Sequence, residues 1–347
     1  HPFVRHSTWR NHALLLAGNF NLTNTGALFD ELVEGGHHLG SRQDSEILLA
    51  LLAHCLEKMP ATDDGLESRD IPALLRAAAA EWDGGFVICG ALGNGDAAGI
   101  RPAYYYFDDE IAVVASERVA IQTTFDIPTA DVAELPPGHA VVVLRNGDVS
   151  LQRILPEAPP RRCVFERIYF SRGNDADIHR ERRALGRALV PEVVRAVDDD
   201  LENTVFSYIP NTAQTSYHGL VEALLEAYPG RRIRFAQIAV KDAKFRTFIS
   251  DATLRRDLFP HVYDVTYGVV RPGVDNLVVI DDSVVRGNTI RNAILPILDR
   301  LGPRRIVVAS AAPPLCYPDC YGIDMASFEQ LVAFQAVVSL LRQTGDT

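Results

Sequence analysis

The sequence is poor in cysteine, has no excess of positive charge, and contains no apolar run long enough to cross a membrane. Its five cysteines, scattered at positions 55, 89, 163, 316 and 320, do not make the dense, paired pattern of a secreted disulfide framework. Lysine and arginine number 34 against 45 aspartates and glutamates, a formal net charge of −11. A nucleic-acid surface needs clustered basic residues, so no nucleic-acid partner is expected. No stretch approaches the roughly 20 apolar residues of a membrane helix, and the opening His1-Pro2-Phe3-Val4-Arg5 lacks the pattern of a secretory signal. These absences point to the cytoplasm and away from a membrane. Internal repeats and low-complexity tracts are also absent, apart from the short alanine run 77–80. What is present is 347 residues, 47% of them hydrophobic, enough for two domains with cores of their own.

The Pro-rich, charged segment Pro156-Glu157-Ala158-Pro159-Pro160-Arg161-Arg162 divides the chain, giving an expected first domain over residues 1–160 and a second over 161–347. In the first, Asp44-Ser45-Glu46 opens a helix with Ile47, Leu48, Leu51, Leu52, Cys55 and Leu56 on one stripe, and 71–82 reads as another helix. Residues 86–92 form an apolar strand pattern. Strands at 103–107 and 111–115 flank Asp108-Asp109-Glu110, and 140–144 meets 149–151 across Asn146-Gly147. Antiparallel sheets with helices packed outside, an α+β domain, follow from this pattern. After the linker the order becomes strand, helix, strand, helix, with β-rich runs at 204–209, 233–240, 277–280 and 305–311. A helix over 289–301 carries the stripe Ile290, Ala293, Ile294, Ile297, Leu298 and Leu301; Gly302-Pro303 stops it and Pro296 should bend or open it. Such alternation predicts an α/β domain with a mainly parallel sheet and a ligand site beyond the carboxyl ends of its strands.

One of those ends is chemically distinctive. The apolar run Leu277-Val278-Val279-Ile280 stops at Asp281-Asp282, and Ser283-Val284-Val285-Arg286-Gly287-Asn288-Thr289 then leads into the helix. Free backbone N–H groups and the positive end of the helix dipole suit a phosphate, and Ser283 and Thr289 can add hydroxyl contacts. Two carboxylates with no obvious cationic partner nearby in sequence would repel that phosphate unless they face sugar hydroxyls or Mg²⁺. The simpler reading, in which Asp282 or Ser283 merely caps a helix, leaves Arg-Gly-Asn-Thr at this spacing without explanation.

This run resembles the phosphoribosyl pyrophosphate (PRPP) signature of phosphoribosyltransferases and, as Val-Ile-Asp-Asp-Ser-Val-Val-Arg-Gly, is most similar to the amidophosphoribosyltransferase family. Other segments extend the resemblance. Ile209-Pro210-Asn211-Thr212-Ala213 matches the family's pyrophosphate loop, with Asn211 where an acidic residue is usual. Lys241-Asp242-Ala243-Lys244-Phe245-Arg246-Thr247-Phe248 is similar to its cationic catalytic loop, one residue shorter and without its glycine. Tyr317-Pro318-Asp319-Cys320-Tyr321-Gly322-Ile323-Asp324-Met325 matches a further block. In the first half, Gly18-Asn19-Phe20-Asn21-Leu22-Thr23-Asn24 resembles the family's glutaminase motif, and Ala98-Gly99-Ile100-Arg101-Pro102 and Ala115-Ser116-Glu117 match further blocks. Arg5-His6-Ser7-Thr8 mimics a glutamine-binding motif but lies too close to Asn19 to serve as one.

The resemblance implies a fold: an α+β N-terminal nucleophile hydrolase-type domain lacking its start, followed by an α/β phosphoribosyltransferase-type domain. It also implies roles. The Asn19 side chain and Phe20 backbone N–H would form an oxyanion hole, and Asp44, which can also cap its helix, would hold the α-amino group of glutamine. Asp281 and Asp282 would hold the ribose hydroxyls directly or through Mg²⁺. Ser283, Arg286, Gly287, Asn288 and Thr289 would seat the 5-phosphate, Asn211 and Thr212 the pyrophosphate, while Lys241, Lys244 and Arg246 would close over it. The family uses an N-terminal Cys nucleophile, whereas position 1 is His. By usual domain size the sequence begins about a hundred residues inside the glutaminase domain, so residues 1–347 alone are expected to bind PRPP without hydrolysing glutamine.

The reaction implied is displacement of pyrophosphate from PRPP by glutamine-derived ammonia, giving 5-phosphoribosylamine, the first step of purine synthesis. Purine nucleotides as feedback inhibitors and a homo-oligomer go with it. An iron–sulfur cluster is not expected, because Asp319 rather than Cys320 stands at the family's ligand position and Cys316 alone cannot supply four thiolates. Two other classes remain: a non-catalytic PRPP-binding regulator would not need the cationic loop, and a salvage transferase acting on a base would not need the first domain. An ammonia-only transferase with a degenerate glutaminase domain is a further variant.

Overall fold

A computed structural model describes residues 2–5, 14–59, 70–90, 98–144, 146–156, 158–241, 263–318, 325 and 327–345. The chain divides into two compact units, one running to Glu166, the other comprising Arg167–Pro318 and Met325–Thr347.

In the first unit, β1 (Phe3–Arg5), β2 (Leu14–Leu22) and β3 (Gly84–Gly90) form an antiparallel sheet in that order. Leu14, Leu16 and Leu22 of β2 are buried with Phe86 of β3 against three helices, α1 (Thr25–Glu34), α2 (Asp44–Lys58) and α3 (Ile71–Ala79). From the predicted α2 stripe, Ile47, Leu48, Leu52 and Leu56 are buried, while Leu51 and Cys55 sit half-buried at its margin. The Asp70 carboxylate caps α3 by accepting from the Ala73 N–H at 2.9 Å, with Pro72 in the first turn. β4 (Tyr104–Phe107) pairs with β5 (Ala112–Ala115) across the Asp108 turn, where Asp108 Oδ1 accepts from the N–H groups of Glu110 and Ile111. After α4 (Arg118–Phe125), β6 (Ala133–Glu134) adds to β4, and β7 (His139–Val143) and β8 (Val149–Arg153) make the expected hairpin with Val143 opposite Val149. Arg101 and Glu166 form a buried ion pair at 2.5 Å.

The second unit begins in a π-helical turn, Glu166–Phe170, whose last four residues belong to it. α5 (Ala176–Ala188) and α6 (Val190–Ala196) follow, then β9 (Thr204–Tyr208), α7 (Gln214–Ala227) and β10 (Arg234–Phe235). The short strands β11 (Ala239–Lys241) and β12 (Tyr263–Val265) form an antiparallel ribbon. β13 (Asn276–Asp281) leads into a helical stretch that is π-wound over Ile290–Ile294 and α-helical over Leu295–Asp299 (α8), then into β14 (Arg305–Ser310). A 3₁₀ turn, Phe328–Gln330, precedes α9 (Val332–Thr344). The π turn directly before Pro296 is where the helix opens, because proline has no N–H to donate back and its ring crowds the preceding turn.

Strands β10, β9, β13 and β14 form a parallel sheet in that order. β9 and β13 are neighbours, yet from β9 the chain passes through α7 to one side and from β13 through the 288–299 helix to the other. A crevice therefore opens beyond the carboxyl ends of β9 and β13, the place where ligands bind in such sheets. The run 233–240, expected as one strand, is broken: Phe235 stays in this sheet, and Ala239 begins the ribbon. The break is held by the Ser207 hydroxyl, which accepts the Ile238 N–H at 2.9 Å in place of a ladder partner.

At the opposite end of the sheet, Asp275 is fully buried and bound by Arg234 and Arg271, each at 2.6 Å. Burial alone would raise its pKa, but hydrogen bonds from Arg271 and Arg234 win and hold the carboxyl down at about 2. Asp275→Asn puts a neutral amide where a buried carboxylate accepts bonds from Arg234 and Arg271, and should cost about 3 kcal/mol in urea unfolding at pH 7. Because the folded pKa lies below the ordinary 3.8, the ionised group stabilises the fold above that value, and the gap between variant and parent should narrow as pH falls toward about 2.

Candidate functional site

The acidic pair sits at the crevice. Asp281 is the last residue of β13, aligned with Ser310 of β14. Its carbonyl accepts from Ala311 N–H at 2.8 Å and that of Asp282 from Ala312 N–H at 2.9 Å, while Ile209 N–H donates to the Ile280 carbonyl at 2.8 Å. These bonds fix the backbone under both carboxylates. The carboxyls themselves are crowded. Burial, and then repulsion by Asp282, push Asp281 up to about 7. Asp282 is also raised by burial, opposed by hydrogen bonds from Ser283 and Thr212 and by the positive charge of Arg182. The Asp282 N–H lies 3.0 Å from Asp281 Oδ1, and the Ser283 hydroxyl donates to Asp282 Oδ1 at 2.9 Å. Two crowded carboxylates with raised proton affinity at a crevice suit a divalent cation or sugar hydroxyls.

The loop after them runs beside the start of α9. Val332 N–H donates to the Val285 carbonyl at 2.9 Å, and Gly287 adopts φ +71° with Val332 behind it, so an added Cβ would press on that side chain at 3.1 Å. Gly287 thus meets a steric and a conformational demand together. The Arg291 N–H returns to the Gly287 carbonyl at 2.9 Å as the helix begins. The amides of Asn288, Thr289 and Ile290 therefore lie in the first turn, where a helix offers its N–H groups outward. Asn288, Thr289 and Arg286 are exposed, and Arg286 Nε also lies 3.0 Å from Met325 Sδ.

Across the crevice, the loop leaving β9 contains Pro210, Asn211 and Thr212; the Pro210–Asn211 peptide is cis, Asn211 is exposed, and its carbonyl accepts from Gln214 N–H. Thr212 is tied to Asp282, which brings the two predicted loops together. Lys241 ends β11, exposed, in register with Tyr263 of β12. Lys244 and Arg246 lie outside the described residues, as do Asp319 and Cys320. Cys316 is an exposed free cysteine.

Two residues near the pair went unmarked in the sequence. Burial, then the charges of Asp281 and Asp282, push the Tyr263 phenol up, which places its ring beside them. Arg182 on α5 is buried. Its place four residues after the buried Ile178 was a signal that it faces inward.

In the first unit, Asn19 and Phe20 lie within β2, paired with Val87 and Phe86 of β3. Asn19 is exposed, whereas Phe20 is half-buried against the core. Asp44, in the first turn of α2, accepts the Leu22 N–H at 2.7 Å, linking the helix to the strand that carries Asn19. The following turn is braced by Asn24, which donates to the Glu81 carbonyl at 2.7 Å and accepts from Asp83 N–H at 3.2 Å.

No family model matches the chain. Among curated proteins it is similar to the amidophosphoribosyltransferase of Pseudomonas aeruginosa, 28% identical over 96% of this chain and 66% of that protein. It is likewise 28% identical to that of Escherichia coli, over 99% of this chain and 68% of the relative. The chain thus spans about two thirds of the length of these relatives. A solved structure described as glutamine PRPP amidotransferase from B. subtilis complexed with ADP and GMP superimposes with a TM-score of 0.76 at 25% identity, covering 99% of this chain and 71% of that one. The two-unit fold is therefore that of the PRPP amidotransferases.

Proposed function

We propose that this chain carries out amidophosphoribosyl transfer: ammonia derived from glutamine displaces pyrophosphate from C1 of PRPP to give 5-phosphoribosylamine. The observation that carries the reading is the acidic pair at the end of β13, followed directly by a loop that offers a helix N-terminus. In the reaction the ammonia lone pair forms the new C1–N bond, the C1–O bond breaks with its electrons going to pyrophosphate, and a proton is lost from nitrogen. Ammonia needs little activation, so the site must mainly stabilise a cationic sugar and a leaving anion.

Asp281 and Asp282 orient the ribose hydroxyls. Ser283 holds Asp282 in place, and Arg286, Gly287, Asn288 and Thr289 seat the 5-phosphate. Asn211 and Thr212 meet the pyrophosphate, with Lys241, Lys244 and Arg246 closing on it. The pair also fits Mg²⁺, which takes one or two carboxylates together with substrate oxygens; bound there, it would neutralise charge on the departing pyrophosphate. Asn19, Phe20 and Asp44 serve the glutamine side, as oxyanion donors and amino-group anchor. Purine nucleotides are proposed as regulatory ligands, on the strength of the ADP and GMP named for the structural neighbour.

A salvage transferase would join a base to the same sugar, so acceptor choice discriminates between the two. Incubated with PRPP, Mg²⁺ and a panel of purine and pyrimidine bases, the protein should form no nucleotide, while ammonium salts should support pyrophosphate release. Nucleotide formation with any base at the ammonia-dependent rate would overturn the assignment.

A further inference from the structure

Three consecutive residues of the loop after the acidic pair lean on one later stretch of chain, the approach to α9. The Val285 carbonyl accepts the Val332 N–H at 2.9 Å. Gly287 packs so closely on the Val332 side chain that an added Cβ would stand 3.1 Å from its Cγ2. Between the two, Arg286 Nε donates to Met325 Sδ at 3.0 Å. Met325 is 2% exposed and Leu331 1%, and the Leu331 N–H donates to the Phe328 carbonyl at 2.9 Å. The approach to α9 is thus anchored in the interior, while Arg286 stands exposed in front of it.

The chemistry of that one acceptor matters. A thioether sulfur carries no charge and accepts only weakly, so it orients a guanidinium without neutralising it. A carboxylate in the same place would grip the arginine far more strongly and would itself repel a phosphate. A hydrocarbon would leave the long side chain to sample its rotamers, and ordering it would then be charged against ligand binding. Sulfur lies between these extremes: it aims the arginine and yields it readily to an anion.

We propose that Met325 is a positioning residue of the 5-phosphate seat: its buried thioether aims the Arg286 guanidinium while leaving the charge available to the phosphate of a sugar phosphate. The proposal rests on the reading of this loop as the seat of the PRPP 5-phosphate, and it adds to that seat a residue 39 positions beyond Arg286. A methionine that only filled space would influence stability and treat both ends of the ligand alike. One that acts through Arg286 should affect the 5-phosphate end alone, and only while the guanidinium is present.

The test uses two probes that divide the ligand, ribose 5-phosphate for one end and pyrophosphate with Mg²⁺ for the other, each titrated calorimetrically against the full chain. Met325→Leu keeps the volume and removes the acceptor; it should weaken ribose 5-phosphate about threefold. Met325→Gln supplies a strong neutral acceptor that competes with the phosphate for Arg286, and should weaken it about tenfold. Pyrophosphate should stay within about twofold of the parent in both. In an Arg286→Ala background, Met325→Leu should add no further loss, as a double-mutant cycle requires of residues that act as a pair. Ribose 5-phosphate bound equally by the parent and a folded Met325→Leu variant would overturn the proposal and leave the functional reading standing, as would a threefold loss that persists without the guanidinium. Should Met325→Gln not fold, the Arg286→Ala cycle decides on its own. A parent that binds neither ribose 5-phosphate nor PRPP would refute the functional reading, and the proposal with it.

Discussion

Replacing both Asp281 and Asp282 by Asn should reduce phosphoribosyl transfer from PRPP to ammonia by at least about a thousandfold, equivalent to about 4 kcal/mol of transition-state stabilisation. The fold should survive. The β13 backbone is held by its ladder and by the Ala311 and Ala312 N–H bonds, none of which involves a carboxylate. What is lost is the ability to take a cation or to accept strongly from ribose hydroxyls, since a neutral amide does both poorly. Circular dichroism of the double variant should match the parent while pyrophosphate release from PRPP falls to background. Normal turnover in a folded double variant would show that the pair has no part in the chemistry.

Asp281 alone should show the cost of building that site. Its carboxyl is pushed up to about 7 from an ordinary 3.8, first by burial and then by Asp282. A folded-state pKa above the unfolded value means that the native protein binds more protons than the unfolded chain between those two pH values. Stability therefore declines as pH rises through that window, and the full penalty is present above about pH 7. Converted directly, the shift corresponds to about 4 kcal/mol; sharing of the repulsion with Asp282 makes about 2–4 kcal/mol the expected size. Asp281→Asn should consequently be more stable than the parent at pH 8 by that amount, with the advantage shrinking to nothing near pH 4. Urea midpoints at pH 8 and pH 5 measure it. Equal stability at pH 8, or a gap that grows on acidification, would contradict the electrostatic account.

Most of this site could be read from sequence because its parts are contiguous. Leu277 to Ile280 are fully buried and make the uninterrupted apolar run of a central parallel strand. Asp281 and Asp282 break that run within one residue, and the loop after them leads straight into a helix. The hairpin at Asn146-Gly147 and the Asp108 turn were legible for the same reason, since turn chemistry is local.

The parts that were not legible depend on pairings distant in sequence. β2 was hidden because Gly18, Asn19 and Asn21 look like loop residues, and only its pairing with β3 makes them a strand. The break in 233–240 depends on the Ser207 hydroxyl of another strand. Tyr263 reaches the site through its register with Lys241, separated from it by more than twenty residues of sequence. Arg182 stands in the run Arg180-Glu181-Arg182-Arg183, where composition suggests a solvated helix face. Its neighbours Arg180 and Arg183 do make surface ion pairs with Asp177 and Glu222, and only the helical phase separates Arg182 from them.

The most direct test of the whole account is the initial rate of pyrophosphate release from PRPP and Mg²⁺ with an ammonium salt as the only other reactant. Pyrophosphate release should proceed without any purine or pyrimidine base, yield 5-phosphoribosylamine, and rise from pH 7 to pH 9 as more of the ammonia is unprotonated. Release unaffected by ammonia, or seen only when a purine or pyrimidine base is supplied, would contradict the account.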